Sequence, residues 1–148
     1  MKLKQLSIPL ENAPGRLHAV TRAMGDAGIN LRANCICDSA HDFGVLRIVV
    51  SDLAAARAVV MERHIPARVE DVVAVEIEDS PGQLADILEL FLDSRVNVEY
   101  MYAVAGATAG KAVMIFSFSD VDAAIEILTR NGRKLLDAES FGILEART

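Results

Sequence analysis

Long hydrophobic runs are missing from this chain of 148 residues. None approaches the roughly 20 apolar residues that a membrane-spanning helix needs, so no membrane role is expected. An excess of basic charge is missing too. Fifteen Lys and Arg face 21 Asp and Glu, and the cations are scattered without a stripe, so nucleic acid is not an expected partner. Aromatics are scarce, five Phe and two Tyr. An RNA-binding sheet needs them on its central strands beside a basic face. The opening, MKLKQLSIPLENAPG, has its apolar patch broken by Pro9 and Glu11, which argues against a signal peptide. Cysteine is limited to Cys35 and Cys37, too close in sequence for an easy bridge. Both are expected to be reduced, which fits a cytoplasmic location. There is no G-x-S-x-G, no H-E-x-x-H and no P-loop, so no common catalytic motif is present.

What is present is repetition and apolar content. Apolar residues make up 52% of the chain, enough to exclude disorder. At an offset of 67, Asn12, Pro14, Gly15 and Leu17 meet Asp79, Pro81, Gly82 and Leu84. The run 28–31 (GINL) meets 95–98 (RVNV), and 45–49 (VLRIV) meets 112–116 (AVMIF). After one inserted residue, Ser51-Asp52-Leu53 meets Ser119-Asp120-Val121. Matches spread this evenly mean two copies of one structural unit, 1–70 and 71–148.

Each copy carries the same punctuation. An apolar strand comes first, 3–10 or 72–77, and a Pro-Gly turn then opens a helix. Leu17, Val20, Met24 and Ala27 give that first helix a buried face, as do Leu84, Ile87, Phe91 and Leu92 in the second copy. Gly28 suits a helix C-terminus, whereas Arg95 at the matching place demands another solution. Two strands follow, 30–38 and 44–50, matched by 97–104 and 111–118. Asp52 and Asp120 are placed to cap a second helix. Last strands are expected near 67–70 and 134–137. The order β-α-β-β-α-β, twice, predicts an α+β fold of two ferredoxin-like units, antiparallel sheets with helices on one face. No Gly/Ser-rich linker parts the copies, so rigid packing of the two, edge to edge, is expected. The segment 140–144 (SFGIL) has no slot in such a unit and reads as an extra strand, one that could pair with a partner chain.

The turn admits two readings. Pro at the first helical position and a Ser80–Gln83 capping box would make it a good strand-to-helix turn and nothing more. Alternatively it binds an anion: Gly15 and Gly82 let a ligand approach the backbone, and the amides of a helix N-terminus favour a carboxylate. Asn12 can donate to a carboxylate or accept from an ammonium. Asn30 and Asn97, each opening the next strand, are either second polar anchors or turn residues. Asp79 puts a negative charge where Asn12 is neutral, so the Asn12 turn is the expected carboxylate site. Tyr100 and Tyr102 share one face of a strand, either lining a pocket or packing on the helices.

The run N-x-P-G-x-L, a helix, then G-I-N-L resembles the ACT domain, a small-molecule regulatory module of amino-acid metabolism, as two tandem copies over nearly the whole chain. The resemblance implies a non-catalytic sensor that binds a free amino acid between paired modules, and no cofactor. One module would contribute its turn and the other the start of its second strand. That implicates Leu10, Glu11, Asn12, Ala13 and Gly15 with Asn97, and reciprocally Glu78, Asp79, Ser80 and Gly82 with Asn30. It further implies a homodimer and, with no catalytic domain within these residues, regulation of an enzyme in trans or sensing of a free metabolite. Competing readings are a purely protein-binding module or a small metal- or thiol-dependent enzyme using Cys35, Cys37 and His41. Zinc sites usually space cysteines by two to four residues. Both thiols are therefore expected to serve as small apolar filler, and no metal site is expected.

Overall fold

The computed structural model describes residues 1–105 and 108–143, with the backbone alone at Ser39 and Ala40. In chain order the elements are β1 (Leu3–Glu11), α1 (Arg16–Asp26), β2 (Leu31–Ala40), β3 (Phe43–Val50), α2 (Leu53–Glu62) and β4 (Arg68–Glu78). They continue as α3 (Gln83–Glu89), β5 (Val98–Ala105), β6 (Lys111–Phe118), α4 (Val121–Arg130) and β7 (Lys134–Leu136). The chain forms two compact units. The N-terminal unit holds Lys4–Glu70 and the tail from Ala138; the C-terminal unit holds Met1–Leu3 and Asp71–Asp137. The last strand foreseen for the first copy and the first strand of the second are one continuous element, β4, whose residues 68–70 belong to the N-terminal unit.

In the N-terminal unit β3 lies between β1 and β2, antiparallel to both. Leu6, Ile8 and Leu10 of β1 and Leu46, Ile48 and Val50 of β3 point to one face. There they bury with Val20 and Met24 of α1 and Ala56 and Val60 of α2. The alternation of strand side chains thus puts both helices on one side of the sheet. In the C-terminal unit the order is β7-β4-β6-β5. Its core joins Val73, Val75, Met114, Phe116 and Phe118 to Ile87 and Phe91 from the α3 segment and Ala124 and Leu128 of α4. Phe118 stacks between Phe91 and Phe116, with ring centroids 5.0 and 5.3 Å away.

Three periodicity readings need correction. Leu17, placed on the buried face of α1, is 40% exposed, and Ala27 is exposed as well; Ala23 is buried instead. Leu92 is 76% exposed, because α3 ends at Glu89 and tighter turns carry the chain onward, rotating Phe91 inward and Leu92 outward. The segment 140–144 forms turn, not strand, over residues 140–142, where Arg32 Nε donates to the Gly142 carbonyl (3.0 Å); Leu144 lies outside the described residues.

Cross-strand register also moves the inserted residue. Leu6 faces Ile48 and Val73 faces Phe116; 6 to 73 is an offset of 67, but 48 to 116 is 68. The insertion therefore lies in the hairpin before β6, and 45–49 corresponds to 113–117.

Both aspartate caps form as expected. The Ala55 amide donates to Asp52 Oδ1 and the Ala123 amide to Asp120 Oδ1, each at 3.0 Å. Gly28 (φ 73) follows α1 in the left-handed conformation, with the Ile29 amide donating back to the Met24 carbonyl. At the end of α3, Ser94 substitutes for such a glycine: its hydroxyl donates to the Phe91 carbonyl (2.8 Å) and accepts from the Val96 amide (3.1 Å).

Candidate functional site

The two Pro-Gly turns are built alike, and not as local sequence rules suggest. Neither proline enters its helix. Gly15 (φ 85, ψ −12) and Gly82 (φ 89, ψ −14) are the N-cap residues, in the left-handed conformation that a side chain disfavours. No side chain caps either helix, so the Ser80–Gln83 capping box does not form; the Gln83 backbone amide donates to the Ser80 carbonyl, at 3.5 Å. The cause is upstream. The Asn12 amide donates to the Asp42 carbonyl (2.7 Å), and the Asp79 amide to the Gly110 carbonyl (2.9 Å). The strand ladder thus holds the chain until residue 12 or 79, and only a left-handed glycine turns it into the helix within the space left.

This geometry exposes backbone donors. Among the described residues, the amides of Gly15, Leu17 and His18 meet no hydrogen-bond acceptor, nor do those of Gly82, Leu84 and Ala85. A Cβ built on Gly15 or Gly82 would meet no atom within 4 Å, so the space beside those amides is open. The arrangement can receive a carboxylate, and α1, with 11 residues, adds its dipole.

The charges around the turns differ. At the first, Arg16 pairs with Glu11 (3.0 Å), Asn12 is neutral and exposed, and the first turn of α1 holds no acid. At the second, Lys111 pairs with Glu78, Asp79 makes no ion pair among the described residues, and Asp86 lies in the first turn of α3. Arg16 and Lys111 are functional candidates that sequence reading missed. Arg16 was legible as a cation adjoining the turn glycine. Lys111 reaches its turn only through the corrected register, which sets it opposite Glu78.

Other expected site residues fall as follows. Leu10 is buried in the core of the N-terminal unit, so it shapes the turn from beneath; Ala13 is half-buried and Ser80 exposed. Asn30 exchanges backbone bonds with Ser51: its amide donates to Ser51 Oγ (2.9 Å) and its carbonyl accepts from the Ser51 amide (2.8 Å). Asn97 does the same with Ser119, at 2.9 Å for both bonds. The strand opening is therefore made by backbone and serine, and both Asn side chains are exposed. Tyr100 faces Ser117 and Tyr102 faces Ile115, whereas Phe116 in the helix-side core faces Met101. The tyrosines therefore lie on the sheet face away from α3 and α4, which removes the reading that they pack on the helices; Tyr102 is 8% exposed.

The thiols are not core filler. Cys35 is half-buried and Cys37 exposed, on the same helix-free face of the N-terminal sheet, with Sγ atoms 3.4 Å apart. Burial, then the neighbouring Cys37 thiol, pushes the Cys35 thiol above its ordinary range, against the opposing pull of Arg47. His41 lies on the hairpin, exposed. Among the described residues, no three His, Cys, Asp or Glu side chains converge as metal ligands would, and no helix is long and apolar enough to cross a membrane.

The crystal structure of protein BT0572 from Bacteroides thetaiotaomicron superposes with a TM-score of 0.88 at 38% identity, over 97% of this chain and 98% of that one. The ligand-free regulatory subunit of aspartate kinase from Thermus thermophilus superposes with a TM-score of 0.61 at 14% identity, over 86% and 90%. That from Thermus flavus gives 0.54 at 17%, over the same shares. At such identities these two speak for the fold alone. A comparison with curated proteins gives no match. The model of the family described as an ACT domain pair matches residues 1–143. This chain belongs to the ACT domain pair family.

Proposed function

We propose that this ACT pair is a non-catalytic regulator that senses a free amino acid, with the ligand carboxylate received by the amides behind Gly15. The observation that carries the reading is the left-handed glycine cap, which leaves those amides unpaired beside open space. Asn12 and the Arg16–Glu11 pair supply the remaining polar contacts: a donor or acceptor, a cation for the carboxylate and an anion for the ammonium. In this reading the ligand lies where a turn meets the second-strand opening of another module, with Asn97 or Asn30 as the facing anchor. Tyr100 and Tyr102 bound the pocket. Occupancy then changes module geometry, which a regulated enzyme in trans detects. The assembly is a cytoplasmic homodimer.

Thermal unfolding against the twenty amino acids tests this. A ligand near a hundred times its dissociation constant adds about 2.7 kcal/mol. A flat panel overturns the proposal. So does full ligand affinity in Asn12→Ala. Asp79→Asn, which removes a negative charge at the second turn, is expected to raise carboxylate affinity there.

A further inference from the structure

The helix-free face of the N-terminal unit carries a cavity of about 610 Å³ that the turn site does not use. Ser7, Val45, Arg47, Pro66, Arg68 and Glu70 line it. Its volume falls in the range of small-molecule sites, roughly 300–1,000 Å³. Val45 and Pro66 give apolar walls; two guanidiniums and one carboxylate give charge of both signs.

The polar groups are organised. The buried Gln5 amide donates to Ser7 Oγ (3.2 Å), and the Ser7 hydroxyl donates to Glu70 Oε2 (2.6 Å). This chain fixes the direction of the Glu70 carboxylate. Among the described residues Arg68 makes no ion pair, and it is exposed at the cavity wall. Burying Gln5 and Ser7 has a desolvation cost that apolar residues would avoid.

The sister unit shows that the fold does not require it. At the positions of Gln5, Ser7 and Arg47 the C-terminal unit has Val72, Ala74 and Ile115, all buried, and at that of Arg68 it has the half-buried Leu136. The same sheet forms on apolar residues, so the polar set serves something other than folding. We propose that this cavity is a second ligand site, particular to the N-terminal unit, for a small acidic zwitterion. Its carboxylates meet Arg47 and Arg68, and its ammonium meets Glu70. An acidic amino acid carries the net charge of −1 that two cations against one anion call for.

The test titrates L-glutamate, and separately succinate, into the full chain by calorimetry, with circular dichroism to verify folding of each variant. L-Glutamate is expected to bind saturably and more tightly than succinate, which lacks the ammonium. Arg68→Met, at an exposed position, is expected to weaken glutamate at least about tenfold, a loss of ~1.4 kcal/mol. Glu70→Gln is expected to erase the preference for glutamate over succinate. Absence of saturable binding of either probe overturns the proposal, as does unchanged affinity in Arg68→Met. Binding that Asn12→Ala abolishes while Arg68→Met leaves it intact also overturns it, and assigns the ligand to the turn instead. Loss through Arg68→Met with Asn12→Ala unaffected supports it and leaves the turn proposal to its own panel.

Discussion

His64 holds a conformation that its side chain opposes. Among the described residues it is the one non-glycine with positive φ, 54°. It follows α2 in the place that Gly28 takes after α1 and Gly132 after α4, and the Ile65 amide closes the motif on the Val60 carbonyl at 2.8 Å. The surrounding bonds hold the residue there against its preference. His64→Gly is expected to stabilise the protein by about 0.5–1 kcal/mol, read as a raised thermal midpoint. The thiols give a second expectation at this scale. Cys35 titrates above its ordinary range because burial, and then Cys37, disfavour its thiolate. Only the thiolate is nucleophilic. Iodoacetamide near neutral pH is therefore expected to label the exposed Cys37 before Cys35, and the gap should narrow as pH rises. Peptide mass spectrometry reads the order. Sequence reading placed these thiols on one strand face correctly but took that face for core. The alternation of side chains was legible, whereas which side the helices cover was not.

Helix starts show what local signals can and cannot decide. Asp52 and Asp120 were legible because the acceptor and the amide it caps lie three residues apart on one chain segment. Replacing either by Ala is expected to cost about 1 kcal/mol, measured as a shift in the urea midpoint without change in slope. The Pro-Gly starts were misread because Ser80 and Gln83 also satisfy a local rule. A non-local constraint overrides it: the amides of Asn12 and Asp79 are tied to the hairpins at Asp42 and Gly110, so the turn must close through a left-handed glycine. Gly15→Ala is expected to cost about 1–2 kcal/mol of backbone strain although the space for a methyl group is open. The same variant is expected to weaken amino-acid binding, which separates it from Gly25→Ala in the last turn of α1, where space is equally open and φ is ordinary. The site candidates were therefore legible as a repeated motif, while the donors themselves are backbone groups with no residue type to announce them.

At the scale of the molecule each unit has its own core, and one truncation in each tests that. Ile48→Ala and Phe116→Ala, both fully buried, are expected to cost about 2–5 kcal/mol, visible in chemical unfolding. The halves were legible because the repeat is dense, but the membership of the chain ends was not, since neither end has a repeat partner to align with. Met1–Leu3 belongs to the C-terminal unit, where Lys2 pairs with Asp122 (3.0 Å), and the tail from Ala138 belongs to the N-terminal one. Cutting the backbone between Glu70 and Asp71 thus yields two peptides, each retaining a piece that the other's fold calls for. Such peptides suit a split-reporter design: co-expressed, they should complement one another and co-purify, and each made by itself should be lost to proteolysis.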